Sequence, residues 1–575
     1  MIRRSLVVGA LLLAVPSTVS ADVELKWAAE GFYRTRGVFL TNMAAADATR
    51  LPYPVNGEDF VIPEIRRTSY LAHSLRVMPR VSLGDLVTLH AQIDGFRDVL
   101  WGDNNGLFAA PLFATDATNQ SLFGTDQNRF FGQQENLSLN LTRAWIDFKV
   151  PVGRVRVGRM ASHWGMGLLA NGGGTGNVDP TTPAGEPERK AFDYFFDDDF
   201  GDNHFGSTTD RILFITKPLS IYKSIAGHSN VDSKLVMGYA YDKISEAPWL
   251  PNEPFERRFR PFGQQGFISR GNNDDVTEHV GLILWNDPEI NILRYTDDLR
   301  IGMYSVFRHQ SEGSTEPSNL DPNANCGEFE GEIQPCEDTG SLVMIFDFWY
   351  RLRLGPYYSE AEVLTIRGNT FGGIPFPSAN RKRKAQINSG AFRAGYLTDS
   401  WDGVFEVGYA SGDDQLEDEN FKQRPMHPDY NVGLILFEEI LRELSARTYG
   451  PPFFSEANPN GAIGFFSNGG VINSTYIHPK GRYRIELDRG TQVEVIGALL
   501  FAWVDELAQG VGMFGPGVNK YLGTEVDLAI KAWFHDRRMN FTLESGLLFF
   551  GDALKSVYPL ADTSFTLQSR IAFMF

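Results

Sequence analysis

Residues 521–550 read YLGTEVDLAIKAWFHDRRMNFTLESGLLFF. In the first half Glu525, Asp527 and Lys531 share one parity, while Val526, Leu528, Ile530, Ala532 and Phe534 share the other. Successive side chains of a strand point to opposite faces, so this pattern describes a strand with one greasy and one polar face. Asp536, Arg537 and Arg538 make a tight turn, and a second strand fits 538–550. The chain then finishes on TSFTLQSRIAFMF (563–575), where Phe565, Leu567, Ile571, Phe573 and Phe575 oppose Thr566, Gln568 and Arg570. In a soluble sandwich the greasy faces would line a core. In a membrane barrel they would face lipid, and the polar faces would line a wet lumen. Alternation alone does not separate the two.

The connections do. The same reading along the chain gives about eighteen strands, near 23–37, 69–82, 85–97, 137–150, 153–161, 210–219, 233–242, 277–286, 297–309, 341–354, 358–369, 384–397, 401–411, 473–488, 490–504, 520–535, 538–550 and 563–575. In the fourth, the polar parity of Ser138, Asn140 and Thr142 switches to Arg143, Asp147 and Lys149, which predicts a bulge or a late start. Long loops follow the odd strands: 38–68, 98–136, 162–209, 243–276, 310–340, 370–383 and 412–472. Tight turns follow most even ones, as at Leu83-Gly84, Pro151-Val152, Gly355-Pro356-Tyr357 and Thr398-Asp399-Ser400. The turns at 220–232 and 287–296 are longer. Sorting of loop length to opposite ends is the pattern of an outer-membrane barrel. The expected fold is therefore all-β, a transmembrane antiparallel barrel of about 18 strands with long extracellular loops and short periplasmic turns.

The front end agrees. Arg3 and Arg4 precede the apolar run Ser5 to Val15, and Val19 and Ala21 suit a cut before Asp22. That is a secretory signal peptide over 1–21, followed by a single barrel domain over 22–575 in the bacterial outer membrane. Cleavage lowers Lys+Arg from 53 to 51 against 71 acids, a net charge of about −20. No other apolar run approaches the roughly 20 residues of a spanning helix. Strand one follows the signal so closely that no N-terminal plug is expected. The 43 Phe and 57 Gly suit aromatic girdles and turns. Cys326 and Cys336 lie ten apart in an exported chain, which points to a disulfide closing one loop.

A charged residue on the lipid face costs roughly 2–4 kcal/mol at the midplane, so the charged parity should face inward. The expected pore lining is Arg34, Arg36, Arg76, Arg80, Arg154, Arg156, Asp347, Arg351, Arg353, Arg482, Arg484, Glu525, Asp527, Lys531 and Arg570, with Glu24, Glu30, Asp94 and Glu486 as further acids. Two readings stand. The arginines form a cationic track that concentrates anionic solutes, or they brace the barrel in ladders with the carboxylates.

Three segments resemble the alginate-export-type family of outer-membrane barrels. They are YLGTEVDLAIKAWFHDRRMNFTLESGLLFFGDAL (521–554), VFEVGYASGDDQ (404–415) and RVRVGRMASHWGMGLLANGG (154–173). Arg156 and Arg159 match the family's Arg strand, Glu525 and Asp527 its Glu-x-Asp strand, and Gly551-Asp552 its Gly-Asp end. The resemblance covers about a sixth of the chain. It implies a monomeric barrel passing an anionic polysaccharide or another small solute. The turn HDRR departs from the family's exporter, which carries a long periplasmic turn there. The terminal Phe575 resembles the signal that barrel-assembly machinery reads in such barrels generally.

The remaining motifs are weaker. WGDNNG, DYFFDDDFGDN, RGNNDD and SGDDQLEDEN are acidic loop knots: hydrated tips, or Ca²⁺ ligands bridging to lipopolysaccharide. No other cofactor is expected. GLILFEEILRELSAR (433–447) places Leu434, Phe437, Leu441 and Leu444 on one helical face. That helix either enters the lumen or packs on neighbouring loops. The ten His are scattered, without His-Glu-x-x-His or Gly-x-Ser-x-Gly. His90 and Asp94 share a strand face but have no nucleophile beside them, so no enzyme is expected. The acidic balance excludes nucleic acid. The expected function is a channel for hydrophilic, anionic solute, with polysaccharide export first, a diffusion porin second and a closed structural or adhesive barrel third. Expected partners are outer-membrane lipid, lipopolysaccharide, barrel-assembly machinery and periplasmic export components.

Overall fold

In the computed structural model of the protein, the residues described are 25–44, 49–50, 61–62, 65–102, 140–173, 200–201, 206–243, 276–292, 295–313, 328–329, 332–333, 337–370, 383–416, 418–449, 467–487, 490–535 and 538–575. The expected signal segment, Cys326 and Cys336 lie outside them, as do nearly all of the first three acidic knots.

Alternating sequence has become strand throughout. The barrel strands are β1 (Leu25–Ala44), β2 (Ile65–Leu83), β3 (Val87–Gly102), β4 (Asn140–Val150), β5 (Gly153–Ala161), β6 (Thr208–Thr216), β7 (Leu235–Lys243), β8 (Val276–Ile292) and β9 (Tyr295–Gly313). They continue as β10 (Glu337–Leu354), β11 (Tyr357–Thr370), β12 (Arg383–Leu397), β13 (Trp401–Ala410), β14 (Ser474–Leu487), β15 (Thr491–Val504), β16 (Tyr521–Phe534), β17 (Met539–Phe550) and β18 (Thr563–Met574). Each pairs antiparallel with the next, and β18 pairs with β1. The two-residue strand Asn420–Phe421 adds a short parallel pairing to the start of β12. The sheet is thus a closed 18-strand meander, which leaves no barrel edge unpaired.

The seam is set by Gly31. Its N–H donates to the Phe575 carbonyl at 3.0 Å, and the Phe575 N–H donates to the Gly31 carbonyl at 3.0 Å. A Cβ on Gly31 would come within 2.8 Å of the Phe575 ring, so this position stays small. The expected bulge is in β4: the register to β3 slips between Gln92 and Ile93, and Thr142 is the extra residue. Two turns differ from expectation. The segment read as a loose turn at 220–232 holds a helix, α1 (Pro218–Ile225), started by a proline whose missing N–H costs nothing in a first turn. The turn read at 287–296 is tighter, because β8 and β9 run on through a register slip between Asp287 and Ile290.

Outward and inward faces separate cleanly. Outward residues such as Ile212, Tyr239, Ile283, Phe348, Val363, Phe405, Leu528 and Ile571 are exposed. A continuous apolar exterior of this size is a surface for hydrocarbon. Trp27, Tyr357, Tyr396 and Trp401 collect at the short-turn end, where Tyr357 and Tyr396 are 5.3 Å apart and Tyr396 and Trp401 5.4 Å apart by ring centroid. No described helix is long and apolar enough to cross a membrane; the strands do the crossing.

Candidate functional site: the lumen and its inward loops

The inner wall is built from the polar parity of each strand. Arg36 stands opposite Arg570 across the seam, and its Nε donates to the Gln568 side chain at 3.1 Å. Arg34 lies 5.3 Å from the Phe32 ring centroid. Arg76 donates to Asp94 at 2.7 Å, and Arg80 pairs with Glu30 at 3.2 Å. Arg154 and Arg156 converge on Asp147 at 3.3 and 2.8 Å. Arg351 reaches Asp298 at 3.5 Å and lies over Trp349, while Arg353 donates to the Gly355 carbonyl at 3.2 Å. Arg482 sits 3.3 Å from Glu494, and Arg484 bonds Asp402. Lys531 stands opposite Glu494. Arg570 reaches the Gly201 carbonyl at 3.0 Å and Glu544 at 3.8 Å. Most of the arginines that sequence marked as lining bond to acids or carbonyls, while Arg34 lies against a ring and Arg36 bonds the Gln568 amide. Arg159 differs: it is on the opposite parity, paired with Asp210 at 2.7 Å and 39% exposed on the outer face near the long-loop end.

Alternation also marks residues that sequence reasoning did not single out. Glu406 accepts from Arg393 at 2.7 Å, Tyr430 at 2.8 Å and Tyr476 at 2.6 Å, with Lys480 at 3.4 Å. Two cations and two hydroxyls thus surround one buried carboxylate. The polar parity of VFEVGYA and GAFRAGYL carries Glu406 and Arg393, so the signal was present. Their partners sit on other strands and on a loop, which no local pattern gives. His90, read beside Asp94, stacks on Trp145 with centroids 4.7 Å apart.

The inward face is not polar throughout. Along β15, from the short-turn end upward, it runs Glu494, Ile496, Ala498, Leu500 and Ala502, all buried. Tyr476 stands beside Ala502 on one side, and Glu525 beside Leu500 on the other. The β15 wall is thus charged near the short turn and apolar above it. Elsewhere the order reverses: on β6 and β7, Leu213, Ile215 and Val236 lie near the short turns, while Arg211 and Asp242, with Glu278 of β8, lie toward the long loops, all buried. Charged and apolar patches therefore alternate around the inner wall, and the apolar ones face loop that enters the lumen.

Two segments fill it. The first is Ser162–Gly173, after β5. Trp164 stacks on Tyr304 at 5.4 Å and meets Trp349 edge-on at 6.0 Å, and Leu168 is fully buried. The second lies between β13 and β14. Its Leu436–Leu441 stretch is a π-helix that continues as helix α2 (Arg442–Tyr449). Val432, Leu434, Ile435, Leu436, Phe437, Ile440 and Leu441 have at most 1% exposure. Of the two sites left open for this helix by sequence, the lumen is the one it occupies, and burial extends beyond the apolar face to Glu439, Arg442 and Glu443, with Arg442 bonded to Glu439 and Glu443 accepting from Tyr558.

Backbone grips hold both segments. Glu362 of β11 accepts the N–H of Met166, of Gly167 at 3.0 Å and of Leu168 at 3.1 Å. Glu525 of β16 accepts the N–H of Leu434, Ile435 and Leu436 at 2.6, 2.7 and 2.8 Å. Asp527 follows Glu525 two residues on, and Asp347 neighbours Glu362 across β10 and β11; both are fully buried. The two segments also bond to each other. His427 N–H donates to the Leu168 carbonyl at 2.8 Å, and Asn171 donates to the Asp429 carbonyl at 3.2 Å. Asp429 N–H donates to His427 Nδ1 at 3.1 Å, which requires that nitrogen bare. Burial, with Arg424 nearby, pulls the His427 imidazole down to about 4. Between loops and wall is a cavity of about 20 Å³, lined by Asn171, Asp429, Asn431, Arg393, His478 and Lys480; it has room for about one water.

In the acidic knot SGDDQLEDEN, Asp413 accepts backbone N–H from Gln415 and Lys422, and Asp414 pairs with Lys422 at 2.7 Å. Asp418 accepts the Asn420 N–H at 2.6 Å. Among the described residues no three His, Cys, Asp or Glu converge to hold a metal.

Neither a protein-family model nor a curated protein matches the chain in sequence. Among solved structures, the chain is similar to OccK9 (OpdG) of Pseudomonas aeruginosa, with 9% identity and a TM-score of 0.44 over 96% of this chain and 98% of that one. It is similar to a BenF-like porin from Pseudomonas fluorescens, with 8% identity and a TM-score of 0.44 over 96% and 98%. It is similar to OccAB1 of Acinetobacter baumannii, with 10% identity and a TM-score of 0.43 over 95% and 97%. At these identities the likeness is one of barrel fold.

Proposed function

We propose that the protein is an outer-membrane channel for small hydrophilic solutes, with a bore narrowed from within by its own loops. The observation that carries this is a lumen whose wall holds many buried charged side chains and whose bore is entered by two inward segments tied to the wall and to each other. A wall of fixed charge keeps a bore hydrated and sorts ions. The arginines stand in ladders with carboxylates, so selectivity between anions and cations is modest, with any anion preference arising where cations outnumber acids, as around Glu406. Polysaccharide export, the narrower function that the local motif resemblance implies, asks for a bore that a polymer can thread. The two segments that fill the lumen favour small solutes instead.

Planar-bilayer recording of the refolded full chain, with reversal potential in a salt gradient, tests the reading. Steady small-amplitude openings with a weak anion preference are expected. A correctly folded barrel that passes neither ions nor small sugars would remove the channel reading and favour a closed structural barrel.

A further inference from the structure

We propose that Glu362 and Glu525 are positioning residues that set the bore, each acting through the backbone of the one loop it grips; this rests on the channel reading above. Both carboxylates are fully buried in the inward wall. Each accepts three consecutive backbone N–H groups from a loop that enters the lumen, Met166 to Leu168 in one case and Leu434 to Leu436 in the other. Successive N–H groups turned toward one point form an anion-binding concavity, and making one takes a left-handed residue nearby. The chain supplies Gly167 at φ +86° in the first loop and Gly433 at φ +75° beside the second. A Cβ on Gly433 would come within 3.0 Å of Glu525 Oε1, so close approach as well as conformation calls for glycine there.

The same device thus occurs twice, on strands β11 and β16, with unrelated loop sequences. Hydrophobic packing holds the loops in the lumen but has no direction. Three N–H bonds to a fixed carboxylate have direction, and they fix how far each loop reaches across. Because the loops also bond to each other through His427 and Asn171, releasing one grip loosens the other loop, and releasing both widens the passage.

The test compares wild type with Glu362→Gln, Glu525→Gln and the double variant, each as the full chain. A glutamine keeps the volume but replaces one accepting oxygen by an N–H₂. Hydrogen exchange of amides 166–168 and 434–436 is read alongside single-channel conductance and liposome swelling with neutral sugars of graded size. Each single variant should speed exchange at its own triplet by about tenfold or more, the loss of a buried hydrogen-bond acceptor. The double variant should conduct severalfold more than wild type and admit a larger sugar. Gly167→Val and Gly433→Val, which disturb the concavities while leaving both glutamates in place, should move all three readouts the same way and stand in if a glutamate variant fails to assemble. Assembled variants with wild-type exchange, conductance and size limit would overturn the proposal. Faster exchange with unchanged conductance would overturn the bore role. If wild type and variants alike pass nothing while exchange quickens, the channel reading itself fails, and the grip is that of a closed barrel.

Discussion

At the scale of single residues, parity was the most legible property of the sequence. Leu528 was read outward and is 58% exposed; Asp527 was read inward and is fully buried. Leu528→Arg should therefore impair assembly, since charge near the bilayer midplane costs about 2–4 kcal/mol. The yield of heat-modifiable, folded barrel measures this, and normal yield would reverse the assignment of faces. Pairing was not legible. Arg156 and Asp147, or Arg76 and Asp94, meet across strands through a register that no single strand encodes. Glu362 was passed over because nothing in YYSEAEVLTIRG says that a loop almost two hundred residues earlier will bond to it. His427 yields a pH prediction. Its imidazole is near 4 when docked and near 6.5 when free, so docking favours the neutral ring. The contribution to loop docking is complete above about 6.5 and falls away as the pH drops toward 4. Protection factors of amides 427–431, each taken against the intrinsic exchange rate at the same pH, should fall between pH 7 and pH 5, and His427→Gln should flatten that fall; wild-type protection factors that stay constant with pH would contradict the packing described.

At the scale of elements, strand positions were readable to within a few residues over most of the chain because period 2 persists for ten or more residues at a time. The failures have local causes. Helix α1 is eight residues long in a turn, too short for a helical period to stand out. The β8–β9 turn was read as loose because Asp287 and Pro288 look like a turn, whereas the strands absorb them as an irregularity and pair again at Ile290. The closing seam offers an element-level test. Gly31→Val would thrust a branched side chain into the Phe575 ring and the Arg76 carbonyl. It should slow or prevent closure of β1 on β18, visible as loss of the compact band in unheated gels. Gly37, which also lies along the seam, would meet the Ser569 hydroxyl at 2.9 Å, a flexible neighbour, so Gly37→Ala should be better tolerated. Equal behaviour of the two would argue that the seam is not the sensitive step.

At the scale of the molecule, loop sorting gave the architecture, but composition could not say which loops turn inward. The clue was there in part: GLILF is a run of consecutive apolar residues too long for the exposed face of a surface loop, and the inward run Ile496, Ala498, Leu500 and Ala502 is too apolar for a water-filled wall. Each is explained only by the other, and they are some sixty residues apart. Replacing 427–441 by a short glycine-serine link should raise conductance well above wild type and leave the upper wall wet. An unaltered conductance would mean that the narrowest point lies elsewhere. The charged end of β10 predicts a different response. Arg351→Glu with Arg353→Glu places new acids beside Asp298 and should lower anion preference in reversal-potential measurements while assembly proceeds; unchanged selectivity would mark these arginines as braces.

The two carboxylate grips close on amides, which every residue except proline carries. The grips on Met166, Leu168, Leu434 and Leu436 are therefore indifferent to which apolar side chain fills each place, provided its volume and the neighbouring glycines stay. Inheritance can then act on the two parts separately. Substitutions in the loops retune what the passage admits, while the strands, and the assembly route that depends on them, stay the same.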